Sequence, residues 1–154
     1  MSVCCMILFS WLTMGCQKHP NSAFEMADVV IQTMNAEETT PLLSFFPDVS
    51  VVQSLIQCKE DRDIVGKMEE AKIRVEEKQR QYQDRFGAMT LISIAITKQR
   101  SVKKGEESGE CMAQSDFQML RIQSTLQSGQ DPSITGEVNL NILYAHERYY
   151  LFDM

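Results

Sequence analysis

One stretch in the second half of the chain alternates between apolar and polar residues and constrains the fold more than any other. In the run 138–144 every second residue is apolar, from Val138 to Tyr144, and Asn139 and Asn141 occupy two of the positions between them. An alternation with a period of two predicts a strand that has one buried and one wet face. Because a single strand cannot bury its apolar face, this stretch requires both partner strands and a layer that covers them.

Three other segments are predicted to join this strand in an antiparallel sheet of about four strands. Apolar residues alternate in them too, for example at Ile92, Ile94 and Ile96, which are predicted to share one face. The segment 98–110 is rich in charged residues and glycine and is predicted to be a solvated loop or an extended hairpin tip. The predicted strands are 89–97, 117–126, 137–145 and 148–152.

The first half of the chain shows the spacing of helices instead. Ser22 followed by Glu25 is a capping box, which predicts that a first helix begins at this point. A short helix and a third helical segment that ends at Cys58 follow, and the longest helix is predicted over 61–86. Helices that precede an antiparallel sheet indicate an α+β fold, with the helices packed on the sheet.

The predicted helix 61–86 carries a narrow apolar stripe among many charged residues. A stripe this narrow suits a coiled-coil seam, but the polar residues at 78 and 79 interrupt it and favour a helix that lies across the sheet. Glu70 precedes Arg74 by four residues, which is the spacing of a helical ion pair, and Gly87 is predicted to end the helix. The stripe consists of Ile64, Met68, Ala71, Val75, Tyr82 and Phe86.

Composition narrows the possible functions. The chain has 154 residues, of which 44% are hydrophobic, and this suits one domain with a single core. The formal net charge is −6, and no stripe of basic residues offsets it, so nucleic-acid binding is not expected. Of the ten methionines, Met26, Met34, Met68 and Met119 lie in or beside apolar stripes and are predicted to fill the core.

The N-terminal segment is not expected to belong to the fold. Residues 3–14 are almost wholly apolar, a length typical of a signal peptide and too short to span a bilayer. Gly15 and Cys16 end this run, and polar residues follow. The pattern resembles a bacterial lipoprotein signal peptide, which implies cleavage before Cys16 and a diacylglycerol on its thiol. A buried N-terminal helix and an ordinary cleaved signal are the alternatives.

The resemblance divides the chain into a signal peptide at 1–15, a tether at 16–21 and a single α+β domain at 22–154. It implies that a lipid holds the protein on the periplasmic face of a membrane in the bacterial cell envelope. Gln17 stands where an Asp is associated with retention at the inner membrane, so the outer membrane is favoured.

Two cysteines remain in the predicted mature domain, Cys58 and Cys111. In an oxidising compartment such a pair is predicted to form a disulfide that ties the helices to the sheet. Two unpaired buried thiols are the alternative if the protein is cytosolic. The two histidines, His19 and His146, have no spacing typical of a metal site, so no metal ligand is assigned.

Two further motifs extend the resemblance to the mature domain. The segment 24–35 (FEMADVVIQTMN) precedes a short helix that ends in Phe46-Pro47-Asp48, and the closing strands read VNLNILY at 138–144 and YYLFD at 149–153. Together they are similar to small nuclear transport factor 2-like, or cystatin-like, envelope lipoproteins of bacteria. The resemblance implies a helix that precedes a modest pocket, in a fold that serves enzymes, binding modules and scaffolds alike.

Few residues are candidates for catalysis. His146 and Glu147 form a predicted two-residue turn, in which an exposed polar residue is ordinary. Asp28 is placed on the wet side of the first helix, and Tyr144 and Asp153 lie on the last two strands. No nucleotide-binding or hydrolase motif occurs, so neither a catalytic residue nor a cofactor is assigned.

Two functions therefore stay open. The first is a non-catalytic module of the cell envelope that binds a protein or a small ligand. The second is a small-pocket enzyme of the isomerase or hydrolase type on the same fold. A ligand-sized cavity lined by paired carboxylates or by a buried histidine would favour the enzyme, whereas a sheet sealed by packed helices would favour the binding module.

Overall fold

The computed structural model describes residues 19–59 and 63–154. The predicted signal peptide, Cys16, the first part of the tether and the predicted start of the long helix at 61 lie outside the described residues. The helices of the described part are α1 (Ala23–Met34), α2 (Thr40–Leu43), α3 (Val49–Leu55) and α4 (Ile64–Phe86). Its strands are β1 (Ile56–Cys58), β2 (Met89–Val102), β3 (Glu107–Ser108), β4 (Cys111–Ala113), β5 (Phe117–Ser128), β6 (Thr135–Ala145) and β7 (Arg148–Asp153). The predicted α+β fold is confirmed.

The main sheet is the predicted antiparallel meander. Its four strands lie in the order β2-β5-β6-β7, and each is antiparallel to its neighbours. A second sheet, in the order β1-β4-β3, was not predicted. The predicted third helix was therefore wrong at its end, because α3 stops at Leu55 and the next three residues pair with Cys111–Ala113 as a strand.

One face of the main sheet is sealed by α1 and is called the core face below. Side chains from the inner side of α1, including Met26, Val30 and Met34, pack in one cluster with the apolar residues of this face. The alternation that predicted β6 is responsible, since it sends every second side chain to the same side. The fully buried apolar residues of this face among the described residues include Ile122, Leu126, Val138, Leu140, Ile142 and Leu151.

Polar side chains fix both ends of α1. The amide of Glu25 donates to the hydroxyl of Ser22 at 3.0 Å, so the predicted cap is confirmed. At the other end, the side-chain amide of Gln83 donates to the carbonyls of Met34 at 2.7 Å and Ala36 at 2.6 Å. These bonds satisfy carbonyls that the end of a helix leaves without partners.

The long helix α4 packs on the main sheet through its apolar stripe, as predicted. Val75 is fully buried in the core cluster, and the hydroxyl of Tyr82 donates to the backbone carbonyl of Glu137 on β6 at 2.7 Å. Gln79, one of the two polar residues that interrupt the stripe, is also buried. Its side-chain amide donates to the carbonyl of Ala36 at 3.1 Å. A helix so anchored is part of the domain and not a projecting arm.

Strand β2 is longer than predicted, and its side chains do not all lie on the predicted faces of the sheet. It continues to Val102, so 98–102 forms the extended hairpin that was one of the two predictions for this stretch and not the solvated loop. The pairing with β5 shifts between Leu91 and Ser93, which places Ile94 opposite the buried Ser124 and leaves Ile92 51% exposed. A bulge of this kind inserts one unpaired residue and resets the alternation, so the prediction that Ile92 shares a face with Ile94 was wrong.

The disulfide between Cys58 and Cys111 is present, with the two Cα atoms 3.9 Å apart. It joins directly paired residues of β1 and β4 within the small sheet. The predicted bond is thus confirmed, but it does not tie the helices to the main sheet as expected. It closes the small sheet across a separation of 53 residues.

Two turns have the backbone that the sequence requires. Gly87, which ends α4, has a φ of 62°, a value that suits glycine because no Cβ is present. His146 and Glu147 have φ values of 50° and 60° and connect β6 to β7 as a tight hairpin turn. Over the described residues, no helix combines the length and the apolar character needed to cross a membrane.

Candidate functional site

A cavity of about 770 Å³ lies over the face of the main sheet opposite to the core face. Its walls are the first half of α4, the end of α3 and the small sheet. The volume falls in the range of ligand-binding clefts, about 300–1,000 Å³. The lining residues are Phe46, Pro47, Val52, Leu55, Ile56, Cys58, Ile64, Lys67, Met68, Glu70, Ala71, Arg74, Lys98, Arg100, Val102, Glu106, Ser108, Cys111, Ala113, Phe117, Met119, Leu120, Arg121, Asn141, Ile142, Leu143, Phe152 and Asp153.

A row of polar residues crosses the floor of this cavity, one from each strand of the main sheet. Lys98 pairs with Arg121, Arg121 pairs with Asn141, and Asn141 pairs with Asp153. Residues directly opposite one another in a ladder point to the same side of the sheet. We call Lys98, Arg121, Asn141 and Asp153 the polar row.

Apolar side chains lie beside the polar row on the same face. Met119 and Leu143 are paired with each other two residues along their strands from Arg121 and Asn141, and Phe117 follows on β5. Leu55 from α3 and Leu143 belong to a small buried cluster of their own, separate from the core face. The floor of the cavity therefore has a charged part and an apolar part next to each other.

Some of the charges in the cavity are paired. Arg74 on α4 lies 3.6 Å from the carboxylate of Asp153, and Arg100 forms an ion pair with Glu106. The expected helical pair between Glu70 and Arg74 is replaced by this bond to the sheet. These two pairs connect α4 to β7 and the end of β2 to the following turn.

Other charges in the cavity have no such partner. Among the described residues, Lys67, Lys98 and Glu70 make no side-chain hydrogen bond or ion pair. Arg121 donates from Nε to the Asn141 side-chain oxygen at 3.2 Å, and its two Nη atoms have no partner in the described part of the chain. Cations are thus in excess in the cavity of a protein whose net charge is −6.

Two carboxylates hold the turn at 103–106, and one of them, Glu106, lines the cavity. Hydrogen bonds from the Arg100 guanidinium and from the Lys103 amide lower the pKa of Glu106. Bonds from the Lys103 ammonium and the Lys104 amide lower the pKa of Asp116 in the same way. Both carboxylates therefore fix the turn between β2 and β3 at neutral pH.

His146, a candidate for catalysis, lies in the predicted turn and not in this cavity. Its Nε2 atom is 2.9 Å from the Ser54 hydroxyl, which resembles a nucleophile and its base. The same hydroxyl lies 2.7 Å from the Val51 carbonyl, which can only accept a hydrogen bond. The single hydroxyl proton points to Val51, so His146 is the donor in this contact and does not activate Ser54.

The other candidates are dispersed. Asp28 accepts a hydrogen bond from Gln32 on the surface of α1 at 2.7 Å. Tyr144 packs against Tyr149, with ring centroids 4.5 Å apart, and burial raises the pKa of Tyr149, with Tyr144 adding to the shift. Of the four candidates only Asp153 lines the cavity, where it is paired with a guanidinium. Tyr144 and His146 line a second, smaller cavity of about 290 Å³, to which Asp28 and Asp153 do not belong.

Sequence reasoning missed Lys98 and Arg121, the two cations of the polar row. Lys98 was assigned to a segment predicted as a loop or a hairpin tip, and it lies on the same side of β2 as Arg100 and Val102 after a second register shift between Ile96 and Lys98. Met119 was also misjudged, because it is 40% exposed and lines the cavity instead of filling the core. Met26, Met34 and Met68 are buried, as predicted. The sequence feature that could have indicated the cavity is the row of polar residues on the side of the strands away from the core.

No protein-family model, curated protein or solved structure matches this chain. Across the described residues, no three histidine, cysteine or carboxylate side chains are arranged to hold a metal ion. What the cavity can bind is therefore argued from its own side chains.

Proposed function

We propose that this chain is a lipid-anchored binding module of the bacterial cell envelope that holds a small ligand in the cavity over its sheet. The observation that carries the proposal is the contrast between the sealed core face and the open cavity of about 770 Å³ behind it. A sheet whose only task was structural would gain stability from covering both faces. The anchor is supported by the apolar run that ends in Gly15-Cys16.

The alternative, a small-pocket enzyme of the isomerase or hydrolase type, has weaker support. Three carboxylates line the cavity, and two of them, Glu106 and Asp153, are paired with arginines. The hydrogen bond from the Arg100 guanidinium lowers the pKa of Glu106, which makes this carboxylate a poor proton acceptor. The lining includes no histidine, so a binding role suits the described cavity better.

The anchor is tested by fractionation of cells that express the full chain. We expect Cys16→Ser to remain unprocessed or to become soluble, because the serine hydroxyl replaces the thiol that would carry the lipid. Cys5→Ser, in the segment that would be removed, is the matched control and should be processed normally. A Cys16→Ser chain that still fractionates with membranes at its mature mass would contradict the anchor.

The cavity is tested with benzophenone, a neutral apolar probe that inserts into C–H bonds when illuminated. Met119 in the cavity and Met112 outside it are exposed to nearly the same extent, 40% and 41%. With the full chain in a neutral detergent, we expect adducts at Met119 and few at Met112, as mapped by peptide mass spectrometry. Equal labelling of the two methionines would show that the cavity does not retain an apolar molecule.

A further inference from the structure

We infer that the cavity takes an amphipathic carboxylate, that is, a singly charged acid attached to an apolar body. The inference rests on the proposed function and names the class of its ligand. The observations behind it are the two unpaired cations of the polar row and the apolar residues beside them. Each is considered in turn below.

Lys98 and Arg121 are like charges placed directly opposite each other on neighbouring strands. Such a pair is destabilising in the absence of a counter-charge. Within the described residues no carboxylate lies within 4 Å of either cation. An anion between the two side chains would supply the missing charge.

The geometry of Arg121 favours a carboxylate. Its Nε atom is held by the Asn141 oxygen at 3.2 Å, which orients the planar guanidinium and leaves both Nη atoms for a ligand. Guanidinium groups bind carboxylates through two parallel hydrogen bonds, and charge-assisted bonds of this kind are about twice as strong as neutral ones. Lys98 adds a second positive charge from the adjacent strand.

The remaining carboxylates disfavour a second negative charge on the ligand. Asp153 ends the polar row and is already paired with Arg74, whereas Glu70 on α4 in the opposite wall has no cation partner among the described residues. A second negative charge on the ligand would meet the uncompensated charge of Glu70. Repulsion between like charges in such a cleft is a means of rejecting the wrong ligand.

The apolar body of the ligand has a surface to lie on. Met119 and Leu143 form the next cross-strand pair beside the polar row, and Phe117 extends this surface toward the small sheet. Met119 is a flexible side chain that adapts to ligands of different shape. A carboxylate at Arg121 therefore positions its attached chain over these residues.

The test measures how fast single lysines react with a water-soluble acetylating reagent. The full chain in a neutral detergent is labelled while decanoate is added, and each lysine is followed by peptide mass spectrometry. We expect decanoate to slow the labelling of Lys98 and to leave Lys104, outside the cavity, unchanged. Decanol, which lacks the charge, and acetate, which lacks the body, should protect Lys98 far less.

The variant Arg121→Gln sharpens the test. It should raise the decanoate concentration that half-protects Lys98 about tenfold or more, since a charge-assisted contact is lost. The control Arg148→Gln removes an exposed cation outside the cavity and should change that concentration by less than about twofold.

Three results would overturn the inference: equal protection by decanol and decanoate, equal slowing of Lys98 and Lys104, or an unchanged half-protecting concentration in Arg121→Gln. Each of these leaves the proposed binding function standing if benzophenone still labels Met119. Failure of the benzophenone experiment would instead remove the proposed function on which the inference rests.

Discussion

The two faces of the main sheet are built from the same strands and differ in almost every physical property. The core face is dry and apolar, with residues such as Leu140 and Ile122 fully buried under α1. The cavity face carries Lys98 and Arg121 opposite each other, beside a methionine that is 40% exposed. The core face therefore holds the larger buried cluster, while the cavity face combines a small buried cluster around Leu143 with two like charges that oppose each other.

This difference indicates how function is placed on a small domain. Alternation along a strand directs every second side chain to the core. The side chains between them are not needed for the core and can have other roles. Like charges in direct opposition are disfavoured by stability alone, and in the proposed function a bound anion would offset them. Four experiments test this difference between the two faces, and they are given in order of decreasing expected effect.

The largest effect is expected from removal of the disulfide. The double variant Cys58→Ala with Cys111→Ala opens a link across 53 residues, which by loop entropy costs roughly 4 kcal/mol of unfolding free energy. Hydrogen exchange should show β1 and β4 opening before the core face, because the small sheet has few other restraints. An unchanged denaturation midpoint would contradict this role of the bond.

The second experiment compares one truncation on each face. Leu140→Ala should lower the unfolding free energy by about 3 kcal/mol, because it leaves a hole in a fully buried cluster. Met119→Ala, on the cavity face, should cost less than about 1 kcal/mol because its side chain is already in contact with solvent. Similar losses in chemical denaturation would mean that both faces are core.

Most of the core face was predictable from the sequence. Val138, Leu140 and Ile142 are all buried, since the period of two in β6 is uninterrupted. The cap at Ser22 and the turn at His146 were predicted for similar reasons, because each depends on a few neighbouring residues. Local chemistry determines these features, and the sequence displays it directly.

The cavity could not be predicted in the same way. A bulge in β2 shifts the alternation, so the side to which Lys98 points depends on the partner strand. The small sheet joins residues far apart in the chain, at 56–58 and 111–113, and its three-residue strands are too short for a periodic signal. Whether a wet face is open or enclosed is decided by the packing of distant elements.

The third experiment tests the cost of the like-charge pair. Arg121→Gln should raise the unfolding free energy of the ligand-free protein by about 0.2–1 kcal/mol, since the opposition to Lys98 is removed. The gain should shrink at high salt, which screens exposed charges. Arg148→Gln is the control and should not show a salt-dependent gain. A loss of stability in Arg121→Gln would show that the arginine is structural.

The smallest effect is a faster amide exchange at acid pH, which is expected only in the turn at 103–106. The pKa of Glu106 and that of Asp116 are lowered in the folded state by their bonds to Arg100 and Lys103. A lowered carboxyl pKa contributes stability above the unfolded value, about 4, and that stability is lost as the pH falls through the folded value. Amide exchange in the turn at 103–106 should therefore accelerate below about pH 4, before exchange on the core face does. Simultaneous acceleration would contradict this order.

The most direct measurement of the difference between the two faces is the oxidation of the native methionines by dilute hydrogen peroxide, which requires no substitution. Met26 and Met34 lie fully buried beneath the core face, and Met119 lies on the cavity face. In the full chain we expect Met119 to form its sulfoxide at a rate close to that of the exposed Met112, and Met26 and Met34 to react only when the domain unfolds. Met119 as slow as Met26 would show that the cavity is closed and that both faces of the sheet are core.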